Sequence, residues 1–136
     1  MPPPDRAKPG SPSDWIARAR GDLALARAPL PEGGFYEDLC FHAQQAAEKA
    51  LKAVYLHHGW LFRYVHDLEE LVSGLERQGL AVPEDVKECL VLTTFASEMR
   101  YPHLSEPVTE AELRAAADLA ERAICWAEAA TRDRAP

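Results

Sequence analysis

From Phe35 to His58 the chain runs for about 24 residues without a proline or glycine, enough for a helix of about 36 Å. Set at 100° per residue, Leu39, Ala43, Ala46, Ala50 and Val54 form a narrow stripe of mostly small apolar residues. Small side chains there let a neighbouring helix approach closely. On another side His42, Gln45, Lys49 and Lys52, spaced by three, four and three, form a polar stripe. It presents an imidazole, an amide and two cations along about three turns, a surface suited to an anion or a nucleotide and equally to plain solvation. Glu48 stands four residues before Lys52, the spacing of an ordinary helical ion pair.

The remaining segments read as further helices. Residues 1–12 hold five prolines with Gly and Ser and no apolar periodicity, and are expected to form a flexible arm. Residues 132–136 are expected to be a short flexible tail, leaving 13–131 as one helical domain. Ser13 is the expected N-cap of a first helix reaching about Ala28, with Trp15, Ile16, Ala19, Leu23 and Ala26 facing the core. Pro29 and Pro31 end it, and Gly33-Gly34 marks a turn. Gly59 suits a left-handed cap on the second helix. Asp67 is the expected N-cap of a third helix ending near Gln78, with Leu68, Leu71, Val72 and Leu75 as its apolar stripe. Pro83 opens a fourth helix, expected to stop near Arg100 because Pro102 biases Tyr101 out of helix. Thr109 with Glu112 is a capping-box pattern opening a fifth helix to about Thr131, with Leu113, Ala116, Ala120, Ile124 and Ala127 on one face. No segment alternates with a period of two. The expected fold is all-α, an antiparallel up-and-down helical bundle of about five helices.

Charge narrows the function classes. With 22 acidic against 15 basic residues the net charge is −7, which argues against a protein that coats long duplex DNA by neutralising many phosphates. A local cationic pocket for one nucleotide or a short single strand is compatible with that balance. No apolar run reaches the roughly 18 residues of a membrane span and the start lacks a signal-peptide core, so a cytoplasmic protein without a membrane role is expected. Cys40, Cys89 and Cys125 are odd in number and form no CxxC pair, and are expected to be buried reduced thiols. His57, His58, His66 and His103 fall in no metal-ligand spacing, and HExxH, Walker and GxGxxG patterns are absent, so neither metal nor cofactor is expected.

Three stretches taken together resemble the HEPN family, the higher eukaryotes and prokaryotes nucleotide-binding domain. They are the Phe41–Lys52 helix, the His66-Asp67-Leu68 start of the next helix, and Arg100-Tyr101-Pro102. The resemblance spans roughly Asp14 to Thr131. It implies a small bundle of antiparallel helices, usually a homodimer, that binds nucleotides or RNA. Many members sit beside a minimal nucleotidyltransferase as a two-protein module. Several are metal-independent ribonucleases, often toxins.

Arg100 is the leading site candidate. Its guanidinium can take a phosphate through two parallel hydrogen bonds, or it can serve the helix terminus and pair with Glu98 or Glu106. The family's nuclease motif is an Arg followed, after four to six intervening residues, by a His. There Arg steadies charge on the phosphate while His moves a proton. Here His103 follows Arg100 after only two residues, so the nuclease spacing is not met; His103 reads as a loop residue or as a catalytic partner at short spacing. If the second and fourth helices pack together, His42, Gln45, Lys49 and Lys52 lie beside Arg100. The lysines would then meet phosphate, Gln45 a base or sugar, and Tyr101 would stack on a base. His66-Asp67 reads as a cap rather than a catalytic pair, because adjacent residues rarely point at one another. A purely structural alternative has Phe41, Leu56 and Trp60 exposed as a dimer or partner surface.

Overall fold

A computed structural model describes residues 7–96 and 107–132 of the 136-residue chain. The central element is α2 (Tyr36–His58), flanked by α1 (Pro12–Ala26) and α5 (Glu110–Ala130), with α3 (Leu68–Arg77), α4 (Glu84–Lys87) and a 3-10 segment (Glu88–Phe95) closing the other side. No strand occurs among the described residues, and the architecture is the all-α bundle expected.

Alanine explains why α2 can sit at the centre. Ala43, Ala46, Ala47, Ala50 and Ala53 are all fully buried, and α5 answers with Ala116, Ala117, Ala120, Ala123 and Ala127. Side chains this short let two helices approach closely, and the bulk of the core comes from Leu51, Leu68, Leu71, Leu75, Leu92 and Ile124. The heaviest packing is of α2 against α1 and α5.

The ends of the elements follow local chemistry. Gly59 closes α2 at φ 71°, a left-handed conformation that glycine adopts without steric cost. Asp67 accepts the Glu69 N–H at 3.0 Å and starts α3. Thr109 and Glu112 exchange side-chain and backbone bonds in a complete capping box. The cap of the first helix lies two residues before the expected one. Ser11, not Ser13, accepts the Asp14 N–H at 3.2 Å, and Pro12 takes the first helical position, where a missing N–H costs nothing.

The fourth helix departs furthest from expectation. Instead of one α-helix from Pro83 to Arg100, a single α-turn at Glu84–Lys87 tightens into 3-10 geometry through Phe95 and stops at Ala96, where ψ is 139°. Val91, Thr93 and Thr94 are β-branched and poor helix formers. Both threonines also spend their hydroxyls elsewhere: Thr94 donates to Val91 O at 3.2 Å, and Thr93 accepts the Leu68 N–H at 3.2 Å. Two burial expectations also change. Cys40 and Cys89 are buried but Cys125 is exposed. Phe41, Leu56 and Trp60 are each half-buried, with Trp60 stacked on His58 at 4.2 Å. The exposed apolar residues are instead Leu25, Phe35, Leu61, Tyr64 and Val91.

Candidate functional site

The polar stripe of α2 is assembled around two carboxylates. The first is Asp22, delivered by α1 from the middle of its core-facing stripe between Ala19, Leu23 and Ala26. His42 Nδ1 lies 3.0 Å from Asp22 Oδ1, and Lys49 Nζ donates to Asp22 Oδ2 at 2.5 Å. The carboxylate side chain is 10% exposed, while His42 and Lys49 keep 32% and 28% exposure. A charged bridge half in water thus ties α1 to α2.

The second is Glu48, on α2 itself and 5% exposed. Its Oε2 accepts Lys52 Nζ at 2.9 Å, the helical pair that the i, i+4 spacing suggests. Its Oε1 accepts Gln44 Nε2 at 3.1 Å and lies 2.8 Å from His66 Nδ1. Gln44 Nε2 also donates to the His66 carbonyl at 3.1 Å, and Gln44 Oε1 accepts from Gln45 Nε2 at 2.7 Å. Lys52 is itself only 6% exposed, with Phe62 and Trp15 rings 5.3 and 6.0 Å from its ammonium. Taking two ions out of water costs several kcal/mol per ion in general, so such a pair persists only when every lone pair and proton is satisfied. That condition explains the dense bonding around Glu48.

The structure therefore brings His42 and Lys49 together on Asp22, and Lys52 and Gln45 together, through Gln44, on Glu48. Arg100, Tyr101 and His103 lie outside the described residues. The stretch that carries them is bounded by Ala96, three residues past the Thr93 that bonds Leu68, and by Pro107, next to Val108, whose N–H donates to Glu37 Oε1 near the start of α2 at 2.8 Å. His66 and Asp67 divide their tasks. Asp67 caps α3 as expected, and His66 turns to Glu48 rather than to its neighbour.

Sequence reasoning missed Asp22 and the partner of His66. For Asp22 a signal existed: a carboxylate at i+3 from Ala19 and i−4 from Ala26 sits where only a paired charge is tolerated. For His66 there was none, since Glu48 is 18 residues away.

A groove of about 570 Å³ between α4 and α5 is lined by Asp85, Asp118, Glu121, Arg122 and Trp126, and three carboxylates against one guanidinium disfavour a phosphate. Among the described residues no group of three or more His, Cys, Asp or Glu side chains is arranged to hold a metal, and no helix is long and apolar enough to cross a membrane. Burial pushes the Cys89 thiol up to about 12 and the Cys40 thiol to about 11, the latter aided by Glu112 and Glu37, so both are poor nucleophiles. Burial, helped by His57, lowers the pKa of His58.

Comparisons with known proteins agree with this architecture. The HEPN domain family profile matches residues 12–130. The crystal structure of TT1696 from Thermus thermophilus superposes with a TM-score of 0.75 at 35% identity, covering 88% of this chain and 97% of that one. That of ST0689, an archaeal HEPN homologue, superposes with a TM-score of 0.72 at 29% identity, covering 90% and 98%. MJ1304 of Methanocaldococcus jannaschii, provisionally named a toxin, is 40% identical over 63 residues. That match spans 46% of this chain and only 38% of the relative. The chain belongs to the HEPN domain family.

Proposed function

We propose that this chain is a nucleotide- or RNA-binding module, homodimeric and working beside a minimal nucleotidyltransferase, with phosphate recognition resting on Arg100 and base stacking on Tyr101. One observation carries the reading. Lys49 and Lys52, the cations of the α2 stripe, are each held on a buried carboxylate, so neither offers a phosphate an uncompensated charge. An anion site on this face then needs a cation from another segment, and a guanidinium that binds both phosphate oxygens at once is suited to the task. Arg100 lies four residues after Ala96, in the stretch whose flanks adjoin α2 and the start of α3. His42 and Gln45, half-buried at the edge of the stripe, have hydrogen-bonding groups suited to a sugar or base. The toxin designation of MJ1304 supports a toxin-like role for the module.

Isothermal titration of the native protein with nucleotides and a short single-stranded RNA tests this directly. Binding by the native chain, weakened about tenfold or more in Arg100→Ala, is expected. No binding by the native protein would overturn the reading. Light scattering at high concentration should return the mass of a dimer; a monomer would remove the homodimer from it.

A further inference from the structure

We infer that the notch between the loop at 61–65 and α3 takes a terminal phosphate, the phosphomonoester of an RNA 5′ end or of a free mononucleotide. This rests on the nucleotide- or RNA-binding reading above and gives it a second anchor, carried by Arg77. Every other lysine or arginine on the described helices has a carboxylate oxygen at 3.5 Å or less. Arg77, in the last turn of α3, is exposed and has no such partner among the described residues. The helix end does not occupy it either. The carbonyls of Gly74, Leu75 and Glu76 already accept the N–H groups of Gln78, Gly79 and Leu80 at 2.9 to 3.2 Å.

Arg77 lines the notch together with Arg63 of the facing loop. Arg63 is 80% exposed and donates to Glu70 Oε1 at 2.9 Å. Two guanidiniums against one carboxylate leave this corner positive, in a chain whose net charge is −7. A phosphomonoester carries close to two negative charges at neutral pH, an internal phosphodiester only one. The end group therefore gains most from a free fork beside a half-neutralised one.

Shape points the same way. The notch holds about 230 Å³, below the roughly 300 Å³ at which pockets for whole small ligands begin. A phosphate with its sugar fits such a space. Gly74 keeps the floor open, because a Cβ there would meet the Tyr55 hydroxyl at 2.1 Å. That hydroxyl spends its proton on Leu71 O at 2.6 Å, so its oxygen can only accept, which suits a ribose hydroxyl and not a phosphate. Burial raises the Tyr55 pKa and the charge of Arg77 opposes the rise, in keeping with a guanidinium beside this floor. Outside the notch, Tyr64 is 92% exposed and meets the lining residue Phe62 edge-on at 6.0 Å, leaving a bare ring on which the terminal base can stack.

The test compares, by fluorescence anisotropy at low salt, two short single-stranded RNAs that differ only in a 5′-phosphate or a 5′-hydroxyl. The phosphorylated strand should bind the native protein about tenfold more tightly. Arg77→Ala should shrink that advantage to about twofold or less; Arg77 has no ion pair to lose, so the variant should keep its fold. Glu70→Gln removes the opposing carboxylate and should widen the advantage by about threefold, a gain that a merely structural role would not produce. Competition by AMP would extend the site to free mononucleotides, and competition by unlabelled phosphorylated RNA alone would restrict it to RNA ends; either outcome supports the notch. Equal binding of the two strands, or an advantage that survives Arg77→Ala, overturns the inference and leaves the binding reading standing. A glutamate-rich peptide that abolishes the advantage at concentrations where AMP does not would assign the notch to a protein's carboxylates, and also overturns it. No binding of either strand or of AMP overturns both.

Discussion

Asp22 on α1 and Glu48 on α2 make the same construction twice along the polar face of α2. Each carboxylate accepts a lysine on one oxygen and an imidazole Nδ1 on the other. They differ in setting. Around Asp22, His42 and Lys49 are about a third exposed, and the bridge joins two long helices that already pack heavily together. Around Glu48 both charges of the ion pair are buried, and the imidazole comes from a loop that the knot itself fixes. Identical chemistry thus joins two long helices at the wet site, and at the dry site it fastens the loop before α3 onto α2.

The sharpest way to break this comparison is to remove each carboxylate in turn. Glu48→Ala leaves Lys52 buried without its counter-charge and should cost about 3–5 kcal/mol in urea unfolding. Asp22→Asn keeps the shape and leaves groups that water can reach, so about 2 kcal/mol is expected. Equal losses, or the reverse order, would mean that burial does not separate the two knots.

The buried thiols supply an internal control. For Cys89 and Cys40 the folded pKa lies above the ordinary value of 9.0, so the fold favours the neutral thiol. Their contribution is complete below about pH 9 and is lost as pH rises toward the folded values, because the unfolded chain then binds fewer protons. At pH 10 the loss should be about 1.4 kcal/mol per thiol. Cys89→Ala should flatten the alkaline limb of a stability–pH curve; an unchanged limb would mean that burial of this thiol does not shape it. The smallest effect is expected far from either knot, at the fifth helix: Thr109→Ala removes the capping box for about 1 kcal/mol, read as a shift in the urea midpoint.

What was legible in the sequence was what local chemistry decides. Gly59, Asp67 and the Thr109–Glu112 pair mark helix ends because their conformations and side-chain bonds involve only near neighbours. The α2 stripe was legible as a shared face for the same reason. Ser13 displaced Ser11 in the reading because Pro12, permissive at a first helical position, looked like part of the arm. The 3-10 segment was hidden because Thr93 bonds Leu68, a residue 25 positions away. Long range also concealed how the stripe is used. Lys49 reads as an unpaired cation of the stripe until Asp22 arrives from another helix, 27 residues earlier.

The most direct test of the division between the two knots is a nuclear magnetic resonance titration of the native protein with a short single-stranded RNA. Shifts concentrated at Arg100, Tyr101, His42 and Gln45, with the buried Glu48 and Lys52 unmoved, are expected. A footprint confined to the dry knot around Glu48 and Lys52 would contradict the assignment of the ligand to the edge of the α2 stripe.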